Sequence, residues 1–249
     1  MNEANQIGRQ TKLFGFIAEE AQQNRLSVSI NRLFKAAGND AMMIPMNIRK
    51  DDFFYTLSNM RNAQLSGAVI GTEYQKEAAE IVDSKSELSE LCGACDVVLV
   101  EDKKLIGDFI AVQSLFELFD EKGIKKIAVI GGGALAKAIA VKNKNYSLAF
   151  YHEYIESLMK MSETLSREID INRLAQSCDL SQYDAVIDAS NAESLAMISK
   201  LPPLCIDLKS EKEYSALRQR AGDLGNEYIG YASMLNRFTQ NSYNYINNL

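Results

Sequence analysis

The chain has 249 residues but a single histidine, four cysteines and no long hydrophobic run. Its apolar stretches, such as residues 184–189, have the length of a strand, whereas a membrane-spanning helix needs about 20 apolar residues. The first twelve residues are polar and no hydrophobic segment follows them, which argues against a secretory signal. These absences argue against a membrane partner and predict a soluble protein of the cytoplasm.

Positive charge is also scarce. The chain has 33 acidic and 27 basic side chains, which give a formal net charge of -6 when the histidine is neutral. Binding to nucleic acid depends on a basic surface that neutralises phosphates. We therefore expect no nucleic-acid partner.

The cysteines and the histidine are too scattered to predict a metal site. Cys92 and Cys95 have the CxxC spacing of redox and zinc sites. Because His152 is the single histidine, a closed zinc site would also need Cys178 and Cys205 from distant segments. A redox pair usually opens a helix, whereas Cys95 leads directly into a strand pattern. We therefore predict small buried cysteines beside a tight turn, and no metal.

Strand-like and helix-like segments alternate along the chain. Apolar runs predict strands at 12–17, 41–45, 67–71, 96–100, 105–106, 125–130, 147–151, 184–189 and 204–208. Apolar residues at a spacing of three and four predict helices at 29–37, 51–62, 76–82, 112–122, 155–167, 214–224 and 233–247. The turn at 101–104 joins two strands as a hairpin. This alternation predicts βαβ units and a mostly parallel sheet.

The strand at 125–130 runs directly into Gly131-Gly-Gly-Ala-Leu-Ala-Lys-Ala138. A strand, a glycine turn and a helix in that order are typical of dinucleotide-binding folds, because glycines let the backbone approach a pyrophosphate and the helix presents free N–H groups. The third glycine of the usual pattern falls near Ala136, which the pattern tolerates. Gly131, Gly133 and Ala134 are therefore candidate cofactor contacts. The alternative is a tight turn that binds nothing.

An acidic residue follows this turn at the expected distance. Glu153 lies just beyond the strand at 147–151, about 20 residues after the turn, where a carboxylate can accept hydrogen bonds from a ribose diol. Such a carboxylate would repel the 2′-phosphate of NADP, so it slightly favours NAD. The alternative is a solvated loop residue beside a partly exposed His152.

These elements predict an α/β fold in two domains. An N-terminal α/β substrate-type domain takes residues 1–110, and a C-terminal Rossmann-like NAD(P)-binding domain takes 111–232. A closing helix at 233–249 packs back toward the N-terminal domain. A small-molecule ligand is expected at the cleft between the domains.

Five stretches in this order resemble shikimate dehydrogenases along nearly the whole chain. They are Leu13-Phe-Gly-Phe-Ile17, Gly93-Ala-Cys-Asp-Val-Val98 with Asp102-Lys-Lys-Leu-Ile-Gly107, the glycine turn, Asp184-Ala-Val-Ile-Asp-Ala-Ser190 and Gly230-Tyr-Ala-Ser-Met-Leu235. The resemblance implies the two-domain fold, a nicotinamide cofactor and a further cofactor contact at Ser190.

The substrate-binding segments of that family are only partly matched. Its Ser-x-Ser-Pro loop falls on Leu26-Ser-Val-Ser29, which lacks the proline. Its Asn-x-Thr-x-Pro-x-Lys segment falls on 69–76, where a threonine is present only after a shift of one residue. The resemblance makes the following residues substrate-binding candidates: Ser27, Ser29, Thr72 and Gln75.

The catalytic positions depart further. The family's catalytic lysine falls on Gln75, or on Lys76 if one residue is inserted, and its catalytic aspartate falls on Ala111. The asparagine of its Gly-Ala-Val-Asn motif becomes Asp96. Hydride transfer needs a proton-transfer group within hydrogen-bond reach of the substrate hydroxyl. We therefore expect no oxidation of shikimate, and we take Lys76 with Asp96 or Asp108 as the remaining catalytic candidates.

Three functions stay open. One is an NAD(P)-dependent oxidoreductase that acts on a different, less polar substrate, with Lys76 as a proton-transfer group rather than a solvated lysine. The second is a non-catalytic pseudoenzyme that senses nucleotide or binds a partner. The third is an interaction module without nucleotide. A homodimer or a protein partner fits any of the three, and the cofactor is NAD or NADP, or none in a pseudoenzyme.

Overall fold

The computed structural model describes residues 10–210 and 212–247. The described chain divides into two compact units: the first takes the chain up to Ala111 and again from Asn236, and the second takes Val112–Leu235. The polar stretch before residue 10, on which the argument against a secretory signal rests, lies largely outside the described residues. Among those residues, no helix combines the length and the apolar content that crossing a membrane requires.

The first unit contains a mixed six-stranded sheet in the order β2-β1-β3-β5-β6-β4. Its strands are β1 (Lys12–Ala18), β2 (Ala41–Asn47), β3 (Leu65–Ile70), β4 (Ser84–Lys85), β5 (Val97–Glu101) and β6 (Lys104–Asp108). Strand β1 is parallel to β2 and β3, whereas β5 is antiparallel to β3 and β6. Three of the five strand pairs in this sheet are parallel, in agreement with the predicted mostly parallel sheet, and both antiparallel pairs involve β5, which the hairpin at 101–104 joins to β6. That hairpin is confirmed, and both turn residues have positive φ.

Four helices accompany this sheet: α1 (Leu26–Ala37), α2 (Lys50–Asn59), α3 (Gln75–Ile81) and α4 (Glu87–Cys92). Helix α1 begins three residues before the predicted start at 29, because Leu26 packs in the core together with Ile30 and Phe34 at a spacing of four. Helix α4 was not predicted. It is one short element whose first turn is capped by the Ser86 side chain.

The second unit contains a six-stranded sheet in the order β14-β13-β11-β7-β8-β9, in which every pair is parallel. Its strands are β7 (Lys126–Ile130), β8 (Ser147–His152), β9 (Asp170–Arg173), β11 (Ala185–Asp188), β13 (Leu204–Asp207) and β14 (Glu227–Ile229). A separate short pair is formed by β10 (Cys178–Asp179) and β12 (Ile198–Lys200). Here the parallel prediction is confirmed.

The helices of the second unit are α5 (Ala111–Lys122), α6 (Ala134–Lys142), α7 (Ile155–Leu165) and α8 (Ala216–Leu224). After β7 the chain adds β8 and β9 on one side of it and β11, β13 and β14 on the other. The strand order therefore reverses between β7 and β11. In open parallel sheets, the crevice beyond the carboxyl ends of the strands at such a reversal is the usual ligand site.

The last helix, α9 (Tyr231–Asn247), begins in the second unit, and its residues from Asn236 onward belong to the first. In the first unit the Tyr243 ring lies 5.5 Å from the Phe34 ring of α1, and Asn39 at the end of α1 donates to Asn247. These contacts attach the end of the chain to α1.

Candidate functional site

The turn between β7 and α6 is shaped by Gly131. This residue has φ of +109°, and a Cβ added to it would lie 2.7 Å from the Ala189 carbonyl oxygen and 3.1 Å from the Ser190 Cβ. Its N–H donates to the Tyr151 carbonyl at 2.8 Å. Any side chain at this position would be strained and would collide with the segment after β11. The structure therefore brings two predicted cofactor contacts, Gly131 and Ser190, together.

Gly133 is glycine for a different reason. Its φ of -76° and ψ of -167° are open to any residue, and a Cβ there would meet only the Ala189 carbonyl oxygen at 3.7 Å. It is exposed, it stands at the N-cap of α6, and no side chain caps that helix, which begins at Ala134. The first N–H groups of a helix attract anions and need a partner. A side chain at Gly133 would fill the space that an approaching phosphate needs, so the turn fits a pyrophosphate.

Glu153 follows β8, the strand next to β7, and its side chain is exposed. The loop is held by His152, whose Nδ1 accepts the N–H of Tyr154 at 3.0 Å, and the two rings lie 5.9 Å apart. His152 is half-buried, in agreement with the expected partial exposure, but it is the last residue of β8 and not a loop residue. Glu153 thus follows the strand that neighbours the strand of the glycine turn.

The ends of β11 and β13 carry two buried carboxylates that the sequence analysis missed. Asp188 accepts hydrogen bonds from the Ser190 N–H at 2.9 Å and hydroxyl at 2.6 Å, and its other oxygen is 3.1 Å from Lys209 Nζ. Asp207 accepts from the Tyr228 hydroxyl at 2.7 Å and from the Ser215 hydroxyl. A signal was present: each of these strands is an apolar run that ends in aspartate, Ala-Val-Ile-Asp and Leu-Cys-Ile-Asp.

In the first unit, the candidates that follow β3 have different environments. Thr72 and Lys76 are exposed, whereas Gln75 is half-buried and its amide donates to the Ile70 carbonyl at 3.3 Å. Between them Tyr74 is buried and donates to the Ile48 carbonyl at 2.6 Å, and burial raises its pKa to about 12. This tyrosine therefore holds the segment in place and stays protonated at neutral pH.

Asp96 is a buried carboxylate whose two oxygens both accept backbone N–H groups. Ile110 donates to Oδ1 at 2.7 Å and Ala111 to Oδ2 at 2.5 Å, at the start of α5. Burial raises the pKa of Asp96 to about 7, and the nearby Asp108 adds to the rise, while the two N–H bonds oppose it. Both oxygens are thus bound to the backbone rather than to Lys76.

The remaining candidates lie around Asp96 and on α1. Asp108 accepts from the Ser86 hydroxyl and from the Phe109 N–H. Ser27 and Ser29 lie in the first turn of α1 and not in the predicted loop, because the helix extends to Leu26. Ser29 is half-buried, and the buried Ser27 hydroxyl has no hydrogen-bond partner among the described residues.

The cysteines behave as predicted for the CxxC pair. Cys92 and Cys95 are buried free thiols, and burial raises the pKa of Cys95 to about 11, which keeps it protonated and unreactive. No group of three or more histidine, cysteine, aspartate or glutamate side chains in the described part of the chain is arranged to hold a metal ion.

An all-parallel sheet with a reversal of strand order and a glycine turn at that reversal defines a dinucleotide-binding type of fold. Among curated proteins, the chain is 27% identical over 137 residues to the shikimate dehydrogenase (NADP(+)) of Pyrococcus furiosus, a match that covers 54% of this chain and 50% of that enzyme. It is 25% identical over 195 residues to the Methanococcus maripaludis enzyme, covering 74% of this chain and 69% of that one. The chain is a divergent relative of the shikimate dehydrogenases.

The fold agrees with this relationship. A shikimate dehydrogenase solved in complex with NADP+ superposes with a TM-score of 0.77 at 18% identity, over 100% of this chain and 94% of the other. No family model matches the sequence. The first of the curated matches spans half the length of the enzyme concerned, so activity and substrate are matters of proposal.

Proposed function

We propose that the protein binds a nicotinamide dinucleotide on its second unit, as an oxidoreductase-type relative of the shikimate dehydrogenases that does not oxidise shikimate. One observation carries the binding proposal. Gly133 is an exposed glycine that neither backbone strain nor packing requires, and it opens a helix without a side-chain cap. A bound phosphate gives both features a purpose.

The dinucleotide is NAD rather than NADP. Glu153 is an exposed carboxylate after β8, where it would accept hydrogen bonds from the two hydroxyls of the adenosine ribose. A phosphate on the 2′-oxygen would meet this negative charge. The resemblance supports the same preference. In the shikimate dehydrogenase family a basic Asn-Arg-Thr segment holds the NADP phosphate, and that segment falls roughly on His152, Glu153 and Tyr154 of this chain.

The altered residues of the first unit support the exclusion of shikimate. Gln75 and Ala111 stand at the positions of the family's catalytic lysine and aspartate, and neither side chain transfers a proton. Lys76 and Asp96 remain as catalytic candidates for a different substrate, with Ser27, Ser29 and Thr72 as its binding candidates. A cytoplasmic location remains part of the proposal.

A second candidate function is a non-catalytic dinucleotide-binding protein. The observation that favours it is the engagement of both Asp96 oxygens by the backbone N–H groups of Ile110 and Ala111. A buried carboxylate held in this way stabilises the start of α5, which is a structural role. Measurable NADH oxidation with any of a panel of small ketones, lost in Lys76→Ala, would favour the enzyme.

The binding proposal is tested by calorimetric titration of Gly133→Val with NADH. The variant folds because valine adopts the backbone angles of residue 133, but its side chain blocks the approach of the phosphate. We expect the affinity for NADH to fall by at least about tenfold, which corresponds to the loss of one charge-assisted hydrogen bond. The matched control is Gly222→Val in α8, where an added Cβ meets nothing within 4 Å. Equal NADH affinity in Gly133→Val and the wild type would overturn the proposal.

A further inference from the structure

A cleft of the second unit lies on the opposite side of the glycine turn from Glu153. It has a volume of about 280 Å³ and is lined by Asn191, Ala192, Glu193, Lys209, Glu213 and Tyr214. The first three residues follow β11 and the other three follow β13. Because β7 lies between β8 and β11, the turn separates the cleft from Glu153. The volume is at the lower limit for a whole ligand, so the cleft suits one end of a longer molecule.

Lys209 is the cation of this cleft, and it is fixed in position. Its side chain is 17% exposed, and Nζ lies 3.1 Å from an oxygen of Asp188, whose side chain is completely buried. The other oxygen of Asp188 is held by Ser190. An ammonium group has three N–H donors. Asp188 receives one of them, which fixes the position of the ammonium beside the cleft and leaves two donors for other acceptors.

The charges around the cleft define what it accepts. Lys209 and Asp188 form a neutral pair, whereas Glu193 and Glu213 add two exposed carboxylates. A phosphate or a carboxylate would be repelled by these two groups. The cleft is complementary to a group without negative charge. Such a group would offer a carbonyl oxygen to Lys209 and N–H or hydroxyl donors to the two carboxylates.

A nicotinamide nucleoside has this chemistry. Its carboxamide offers both a carbonyl oxygen and N–H donors, its ribose offers hydroxyls, and its ring is neutral when reduced and positive when oxidised. A dinucleotide spans the point where the strand order reverses, with its two nucleosides on opposite sides of the pyrophosphate. If the adenosine ribose lies at Glu153 beyond β8, the second nucleoside extends toward β11 and β13.

We propose that Lys209, anchored by Asp188, is a binding residue for the nicotinamide nucleoside half of the cofactor. The inference rests on the proposed dinucleotide binding and assigns a residue to the other end of that ligand. Lys209 donates a hydrogen bond to an oxygen of the nicotinamide nucleoside, and Asp188 keeps the ammonium in place when the cleft is empty of cofactor.

The test compares a ligand that reaches the cleft with one that ends at the glycine turn. NADH and ADP are titrated calorimetrically into the wild type, Lys209→Met and Lys209→Arg. We expect Lys209→Met to lower the affinity for NADH by about 10-fold to 100-fold, which is the range for a hydrogen bond from a charged donor. The affinity for ADP should stay within about twofold of the wild-type value. Lys209→Arg should keep the affinity for NADH within a few fold of the wild-type value, because arginine can also donate to Asp188 and to an acceptor on the ligand.

A double variant removes the risk that Lys209→Met fails to fold. Asp188→Asn with Lys209→Met leaves no unpaired buried charge, and it should show the same selective loss of NADH. Equal changes for NADH and ADP, or no change for either, would overturn the assignment of Lys209. If the wild type binds neither ligand, the dinucleotide proposal itself fails, so the two failures are distinguishable.

Discussion

The two units carry different chemistry at the carboxyl ends of their central strands. In the second unit, β7 ends in a turn where Gly131 is required by the backbone and Gly133 is exposed. In the first unit, the segment after β3 leaves Lys76 exposed and Gln75 half-buried. The resemblance puts the family's catalytic lysine on Gln75, or on Lys76 if one residue is inserted, and its catalytic aspartate on Ala111. We therefore propose that the second unit keeps the features of a dinucleotide site while the first unit has lost the catalytic pair for shikimate. If so, cofactor binding and catalysis have diverged separately in this chain.

The same contrast is visible in two buried aspartates. Asp188 of the second unit is paired with Lys209 and Ser190, whereas Asp96 of the first unit is held by two backbone N–H groups. An ammonium neutralises a carboxylate, but amide groups only solvate it. The stability that Asp188 contributes should therefore depend on Lys209, and the stability that Asp96 contributes should depend on pH.

The largest effect is expected at the paired aspartate. Lys209→Met leaves the Asp188 charge buried without its partner, and we expect the free energy of unfolding in urea to fall by about 3 kcal/mol. This is the lower end of the usual range because Lys209 is 17% exposed. Adding Asp188→Asn should restore most of the loss. A loss below about 1 kcal/mol in Lys209→Met would mean that the pair is not buried in solution.

The contribution of Asp96 to the stability of the fold should depend on pH. Its pKa in the folded chain, about 7, lies above the ordinary 3.8, so the folded chain binds the proton more tightly. Stability from this group is therefore present at low pH and is lost as the pH rises from about 4 to about 7. The neighbouring charge is that of Asp108, and the Tyr245 hydroxyl, which is hydrogen-bonded to Asp108, also lies near Asp96.

Urea unfolding of the wild type and Asp96→Asn at pH 5 and pH 8 isolates this group. We expect the stability difference, wild type minus variant, to decrease by about 2–3 kcal/mol from pH 5 to pH 8, since one pKa unit corresponds to about 1.4 kcal/mol and relaxation reduces the full shift. A difference that is constant with pH would contradict the raised pKa.

The glycines of the turn provide a matched pair. Gly131→Ala forces a side chain into positive φ and against the Ala189 carbonyl, and should destabilise the protein by about 2 kcal/mol. Gly133→Ala should change stability by less than about 0.5 kcal/mol, because its backbone angles are ordinary and its surroundings are open. Thermal or urea unfolding compares the two variants directly. Equal losses would show that Gly133 is also required for folding, which would weaken its assignment to phosphate.

The smallest effect concerns the choice of cofactor. Glu153→Gln removes the charge opposite the 2′-position and keeps the shape of the side chain. We expect NADPH to bind about fivefold more tightly, roughly 1 kcal/mol, and NADH to change less. Exchange of the exposed Glu156 of α7 for glutamine is the control for a general change in charge. If both substitutions improve NADPH binding equally, Glu153 has no special position.

The local patterns of the chain predicted most of its elements. Strands β7, β8, β11 and β13 are apolar runs whose ends agree with the predicted ones within about two residues. Five strands were missed. Of these, β4, β10 and β12 have only two or three residues, and β9 and β14 are edge strands without an apolar run. The first unit was predicted less well, because α4 is too short to show a helical pattern and the antiparallel pairing of β3 with β5 joins segments that are distant in the sequence.

The residues of the candidate site were predictable only where they lie together in one short segment of the sequence. The glycine turn and Glu153 lie in short motifs, and the sequence identified both. The pairing of Asp188 with Lys209 joins two strand ends that are 21 residues apart. The sequence analysis likewise named Asp96 but could not predict that Ile110 and Ala111 occupy both of its oxygens. Such contacts follow from tertiary packing and not from a local pattern.

The most decisive measurement is a calorimetric titration of the wild-type protein with NADH and, separately, with NADPH. We expect saturable one-site binding of NADH, and binding of NADPH that is weaker by about fivefold or more because of Glu153. Binding of neither cofactor would contradict the central claim that the second unit holds a dinucleotide.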